Sequence, residues 1–123
     1  MTRRKILKPL TERVYKVCTA REWQAALARG RYDGSSDDLR DGFVHLSTAA
    51  QLPGVLQRHF KHAADLMVIG LPSLALGPKL KWEENGADTF PHFYGSLPAE
   101  LALAVHKLPA DEGARAKLLS TLS

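Results

Sequence analysis

At 123 residues, with 45% apolar and 24% charged side chains, the chain has enough material for one folded domain and excludes a disordered or fibrous protein. Its single cysteine, Cys18, rules out an intrachain disulfide and a multi-cysteine metal site and suits a reducing compartment. The net charge of +4 invites nucleic acid, but Arg3, Arg4, Lys5 and Lys8 account for all of it, leaving 13 basic and 13 acidic side chains over residues 9–123. We therefore expect a basic tail over residues 1–11 and a single domain over 12–123. The longest apolar stretch, Leu66 to Leu71, is far short of the about 20 residues a membrane helix needs. With no hydrophobic run after the basic start, the expectation is a cytoplasmic protein without membrane contact.

Val14 to Cys18 alternates apolar and polar side chains and predicts a half-buried strand, with Lys16 turned away from its apolar side. Thr19 with Glu22 three residues on is a capping box that opens a helix closing near Gly30, and Trp23, Ala26 and Leu27 fall on its core-facing stripe. Residues 31–41 read as a polar loop ending in the Asp41-Gly42 turn. Phe43 to Ser47 alternates again, a second strand. Thr48 and Gln51 form another capping box before a helix to about Lys61, with Pro53 forcing either a kink or a new start there.

Asp65 to Leu71 is a nearly continuous apolar run of strand length and predicts a central strand buried on both faces. One helical turn over Pro72 to Leu76, a short strand over Leu80 to Glu83 and a loop over 84–90 follow. His92 to Gly95 is extended, Pro98 opens a helical turn, Ala102 to Leu108 is the last strand, and Asp111 to Leu122 is a terminal amphipathic helix. This order predicts an α+β fold with a mixed, mostly antiparallel sheet and packed helices. Neither GxGxxG nor a P-loop is present.

On the second strand, Val44 and Leu46 face the core, which puts Phe43, His45 and Ser47 on the other face. Thr48 then caps a helix whose first amides could meet an anion. A histidine, a hydroxyl and a helix start suit a phosphate or ribose ligand, while a plain hydrogen-bonded pair on an exposed sheet face is the competing reading. Between Lys81 and Gly95 lie Trp82, Phe90, Phe93 and Tyr94, four of nine aromatics, enough to line a pocket for a flat ring. Trp82 and Phe93 read as core, His92 and Tyr94 as site, with Glu83 on the open side of its strand. His59 and His62 have a spacing compatible with metal but no matching third ligand, so no metal is expected. His106 reads as exposed and Cys18 as a small buried side chain.

With VYKV before a helix, then DGFVHLSTAAQLPG, LKWE and FPHFYGSLP in that order, the chain resembles the family of domains of unknown function 952. That family is similar to the ADP-ribosyltransferase-like superfamily, which implies a split β-sheet that grips NAD without a glycine-rich loop. By position the resemblance implies Lys16 in the first site place, His45 in the second and Glu83 or His92 in the third. Lys16 departs from the His or Arg of characterised transferases. His45, Glu83 and His92 are then the candidate catalytic residues, and Lys16, Phe43, Ser47, Thr48 and Tyr94 the candidate ligand contacts. In this reading Glu83 binds the ribose 2′-hydroxyl, His45 and Ser47 position ribose or phosphate, Lys16 neutralises phosphate and Tyr94 packs on nicotinamide. Two functions follow, an NAD-dependent ADP-ribosyl or phosphoryl transferase and a non-catalytic module for a nucleotide or ADP-ribose. RNA contacted through the basic tail is a third.

Overall fold

The computed structural model describes residues 13–123, so the expected basic tail lies outside the described residues. Among the described residues thirteen α-helices and β-strands follow one another: β1 (Arg13–Thr19), α1 (Ala20–Arg29), β2 (Arg31–Tyr32), α2 (Ser36–Asp41), β3 (Val44–His45), α3 (Leu52–His59), β4 (Leu66–Pro72), α4 (Ser73–Leu76), β5 (Leu80–Asn85), β6 (Asp88–Phe93), β7 (Leu97–Pro98), β8 (Ala104–Lys107) and α5 (Glu112–Ser120). They form a mixed α+β fold of three antiparallel sheets, ordered β1-β4-β8, β2-β7 and β3-β6-β5. Among the described residues no helix is long and apolar enough to cross a membrane.

The apolar run of β4 makes it the middle strand of its sheet, as its composition predicts. Its neighbour β1 is buried on both faces rather than one. Val14 and Cys18 enter one hydrophobic cluster with Trp23, Val44, Ile69 and Phe93, while Tyr15 and Val17 enter a second with Leu52, Leu56, Val68 and Leu119. Gly70 of β4 leaves room for the Tyr15 ring, since a Cβ there would sit 3.0 Å from Tyr15 Cε2. The two three-stranded sheets are stitched where Tyr15 and Ser47 exchange backbone hydrogen bonds of 2.8 and 2.9 Å.

Helix α1 starts with the predicted Thr19–Glu22 capping box and ends at Gly30 in the left-handed conformation. Leu27, expected in the core, is half exposed: the buried stripe holds only Trp23 and Ala26. The start at Pro53 prevails over the kink, because Thr48 and Gln51 cap a turn and α3 carries Pro53 in its first turn, where a missing N–H costs nothing. Residues 84–90 are not a loop. Strands β5 and β6 continue to a two-residue turn, Gly86-Ala87, with Gly86 at φ 72°, so the hairpin is tight.

Tyr32 of β2 projects into the first cluster, and its hydroxyl has no hydrogen-bond partner among the described residues. Burial raises its pKa strongly, so the group stays a neutral, unsatisfied donor. Tyr32→Phe is expected to raise stability by about 1 kcal/mol, read from the urea midpoint, because it removes a desolvated hydroxyl and leaves the packing intact. A lower midpoint would show that the hydroxyl is bonded in solution.

Candidate functional site

Strands β3 and β6 pair with Val44 opposite Phe93 and His45 opposite His92. Alternation sends the first pair into the core and the two imidazoles out together on the other face. Their ring centroids are 5.7 Å apart, edge to face. Phe43 binds the pair together, stacked at 4.0 Å on His92, 4.5 Å from the His45 ring and 5.4 Å from Tyr94. His45 keeps 39% of its side chain open to solvent and His92 10%, so the cluster forms an aromatic surface with one imidazole at its rim and one at its base.

Glu83 reaches this surface from β5. Its Oε1 accepts hydrogen bonds from His92 Nδ1 at 2.7 Å and from the Tyr94 hydroxyl at 2.8 Å. The two residues that compete by sequence for one site position are therefore a bonded pair. The His92 hydrogen bond, followed by that of Tyr94, holds the Glu83 carboxyl below the usual carboxylate range, and Glu83 in turn raises the Tyr94 phenol. With its Nδ1–H given to a carboxylate, His92 leaves Nε2 free of hydrogen bonds among the described residues, as is Oε2 of Glu83. Lys81, two residues before Glu83 and opposite His92, lies on the same face. Its ammonium makes no ion pair or hydrogen bond among the described residues.

Lys16 corrects the sequence expectation. It is buried, only 5% exposed, and its ammonium bonds Asp38 Oδ2 at 2.8 Å and the His45 carbonyl at 3.2 Å. A charge neutralised in this way cannot serve a phosphate. Asp38 is the hub that sequence reasoning passes over. Its carboxylate accepts from Lys16, from the Ser35 amide, and from both the amide and Nδ1 of His45, the last at 2.6 Å. Burial pushes the Asp38 carboxyl up, but the His45 and Lys16 contacts outweigh it and hold the group far below its ordinary range. Gly34 makes the approach feasible: its φ is 123°, and a Cβ there would meet Asp38 Cβ at 2.8 Å.

His45 Nε2 faces Asp41 Oδ2 at 3.0 Å, so both ring nitrogens rest on carboxylates. His45 is thus a clasp between β3 and α2 and has no free nitrogen for a reacting group. Residues 31–41 are not a plain loop: they contain β2, paired with β7, and the helix α2, which the Ser35–Asp38 capping box opens. That Ser-x-x-Asp spacing is the signal that could have found the hub; Lys81 could have been found by its alternation with Glu83.

Ser47 is buried, and its backbone forms the stitch to Tyr15 rather than an open contact. Thr48 is spent on its turn, and the Gln51 and Leu52 amides bond back to the Thr48 and Ala49 carbonyls, so the expected anion site at the helix start is already occupied by the chain. Phe93 is core, Trp82 packs half-buried against it, and Phe90 is half-buried. Cys18 is buried and its thiol is pushed up to about 12, which makes it inert. No group of three or more metal-ligating side chains exists among the described residues, His59 and His62 included.

A family model described as Protein of unknown function (DUF952) matches residues 17–105. The X-ray structure of protein CC0527 from Caulobacter crescentus is similar over 88% of this chain and 98% of its own, with 34% identity and a TM-score of 0.81. A double mutant of CC0527 matches with 33% identity and the same TM-score. The solution NMR structure of CC0527 covers 90% of this chain and 97% of its own, with 34% identity and a TM-score of 0.76. No curated protein matches the chain.

Proposed function

The chain belongs to the DUF952 family, and from that premise we propose an NAD-using ADP-ribosyltransferase of the ADP-ribosyltransferase-like build, with its ribose site at Glu83. One observation carries the reading. The Glu83 carboxylate has one oxygen fixed by His92 and Tyr94 and the other open, beside the rings of Phe43 and Tyr94.

The donor set fits NAD. Oε2 of Glu83 can accept a ribose hydroxyl, Lys81 supplies the phosphate charge that Lys16 does not, and Phe43 and Tyr94 offer ring faces to a planar base. Bound NAD brings a ribose–nicotinamide bond whose cleavage develops positive charge on the sugar. A carboxyl held below its usual range stays ionised, so Glu83 acts as a fixed negative charge and not as a proton donor. His92 and Tyr94 orient it, and His45, clasped by Asp38 and Asp41, holds Phe43 in place.

NAD or ADP-ribose at about 100 times its dissociation constant should add roughly 2.7 kcal/mol, a rise in melting temperature of several degrees. Glu83→Ala should abolish that rise. Nicotinamide release then separates a transferase from a module that only binds ADP-ribose. No shift with either ligand sinks the proposal.

A further inference from the structure

A second concavity, an open cleft of about 1290 Å³, lies between α3, α5 and the β5–β6 hairpin. Trp82 alternates with Glu83 along β5, so its indole turns into this cleft, away from the ribose site. The buried side chains of Leu56 and Leu119 line its apolar floor. Arg13, Lys61 and Arg115 stand around it. Arg115 is oriented by a 3.0 Å bond from Nε to the Pro109 carbonyl, which leaves its terminal nitrogens free. The side chains of Arg13 and Lys61 make no ion pair or hydrogen bond among the described residues. Two carboxylate side chains, Asp88 and Glu112, and the backbone of Ser123 also face the cleft beside these three cations, and none of the three cations is in an ion pair among the described residues. The walls are fixed with respect to each other, since Gln51 Nε2 donates to the Thr89 carbonyl at 2.8 Å and ties the entry of α3 to the hairpin.

An apolar floor, an indole wall and unpaired cations complement one kind of molecule. We infer that this cleft binds an amphiphilic organic anion, its planar aromatic body against Trp82 and the leucines and its acidic head toward the arginines and lysine. The site is independent of Glu83.

Naphthalene-1-sulfonate is a suitable probe for calorimetric titration into the full chain. One saturable site is expected, with quenching of Trp82 emission. The neutral analogue 1-naphthalenemethanol and inorganic sulfate should each bind at least tenfold more weakly, because each lacks half of the match. The double variant Arg13→Ala/Lys61→Ala removes exposed side chains with no bonds of their own, so it keeps the fold and should weaken the sulfonate about tenfold. Glu83→Ala should leave this binding unchanged, which separates a failure here from a failure of the ribose site. Absence of saturation, equal binding of the neutral analogue, or full affinity in the double variant overturns the inference.

Discussion

Asp38→Asn is expected to destabilise the protein by about 3–5 kcal/mol, measured as a shift of the urea midpoint at neutral pH. The carboxylate is 2% exposed and accepts four hydrogen bonds, from Lys16, the Ser35 amide and the amide and Nδ1 of His45. Asparagine keeps one oxygen and turns an NH₂ toward donors. It also leaves the Lys16 ammonium buried without a counter-charge, and that is the dominant loss. Domains of this size are stable by only about 5–15 kcal/mol, so the loss is a large share of the total. Lys16→Met added to Asp38→Asn should recover part of it, because the stranded charge is then gone. The acid limb gives a second readout. Asp38 is held below its ordinary range in the folded protein, so its contribution is complete above about pH 4 and is lost as pH falls through the lower folded value. The variant should show a flatter stability profile below pH 4 than the wild type. An unchanged midpoint would mean that the buried pair contributes nothing net.

That hub also shows why the sequence is legible in some places and not in others. Local rules succeed where a short segment decides its own state. Thr19 and Glu22 cap α1, the apolar run at Leu66–Leu71 becomes the middle strand, and alternation around Val44 puts His45 opposite His92. Composition alone misreads β1, because Lys16 marks a polar face only if nothing across the fold pairs with it, and Asp38 does. The distance along the chain between the two is what hides the pair. Glu83 and His92 look like rivals for one role until the hairpin turn at Gly86 brings β5 against β6 and bonds them. The turn pair Gly86-Ala87 needs a glycine at its first position, and Gly86 is there, so this hairpin lies within reach of local rules. Thr48 fails for a different reason. A capping pattern shows that amides need partners, but not whether the chain or a ligand supplies them.

On the proposed transferase reading, Glu83→Gln is expected to lower the rate of nicotinamide release from NAD by about 10²–10³-fold while changing KM little. Glutamine has nearly the same shape, and its oxygen can still accept from His92 Nδ1 and the Tyr94 hydroxyl, so the side chain stays where it is. What disappears is the charge that favours the oxocarbenium-like state over the neutral ground state. Tyr94→Phe removes one of the two donors that orient the carboxylate and should cost less, with the loss again in kcat. The pH profile separates these roles. His92 and Tyr94 hold the Glu83 carboxyl below its usual range, so wild-type activity should persist through the ordinary glutamate range and fall only below it, as the carboxylate takes up its proton. Tyr94→Phe should move that fall to higher pH, since one cause of the lowering is gone. A merely structural Tyr94 would leave the acid limb where it stands. If Glu83→Gln releases nicotinamide at the wild-type rate, the carboxylate beside the stacked rings serves binding alone.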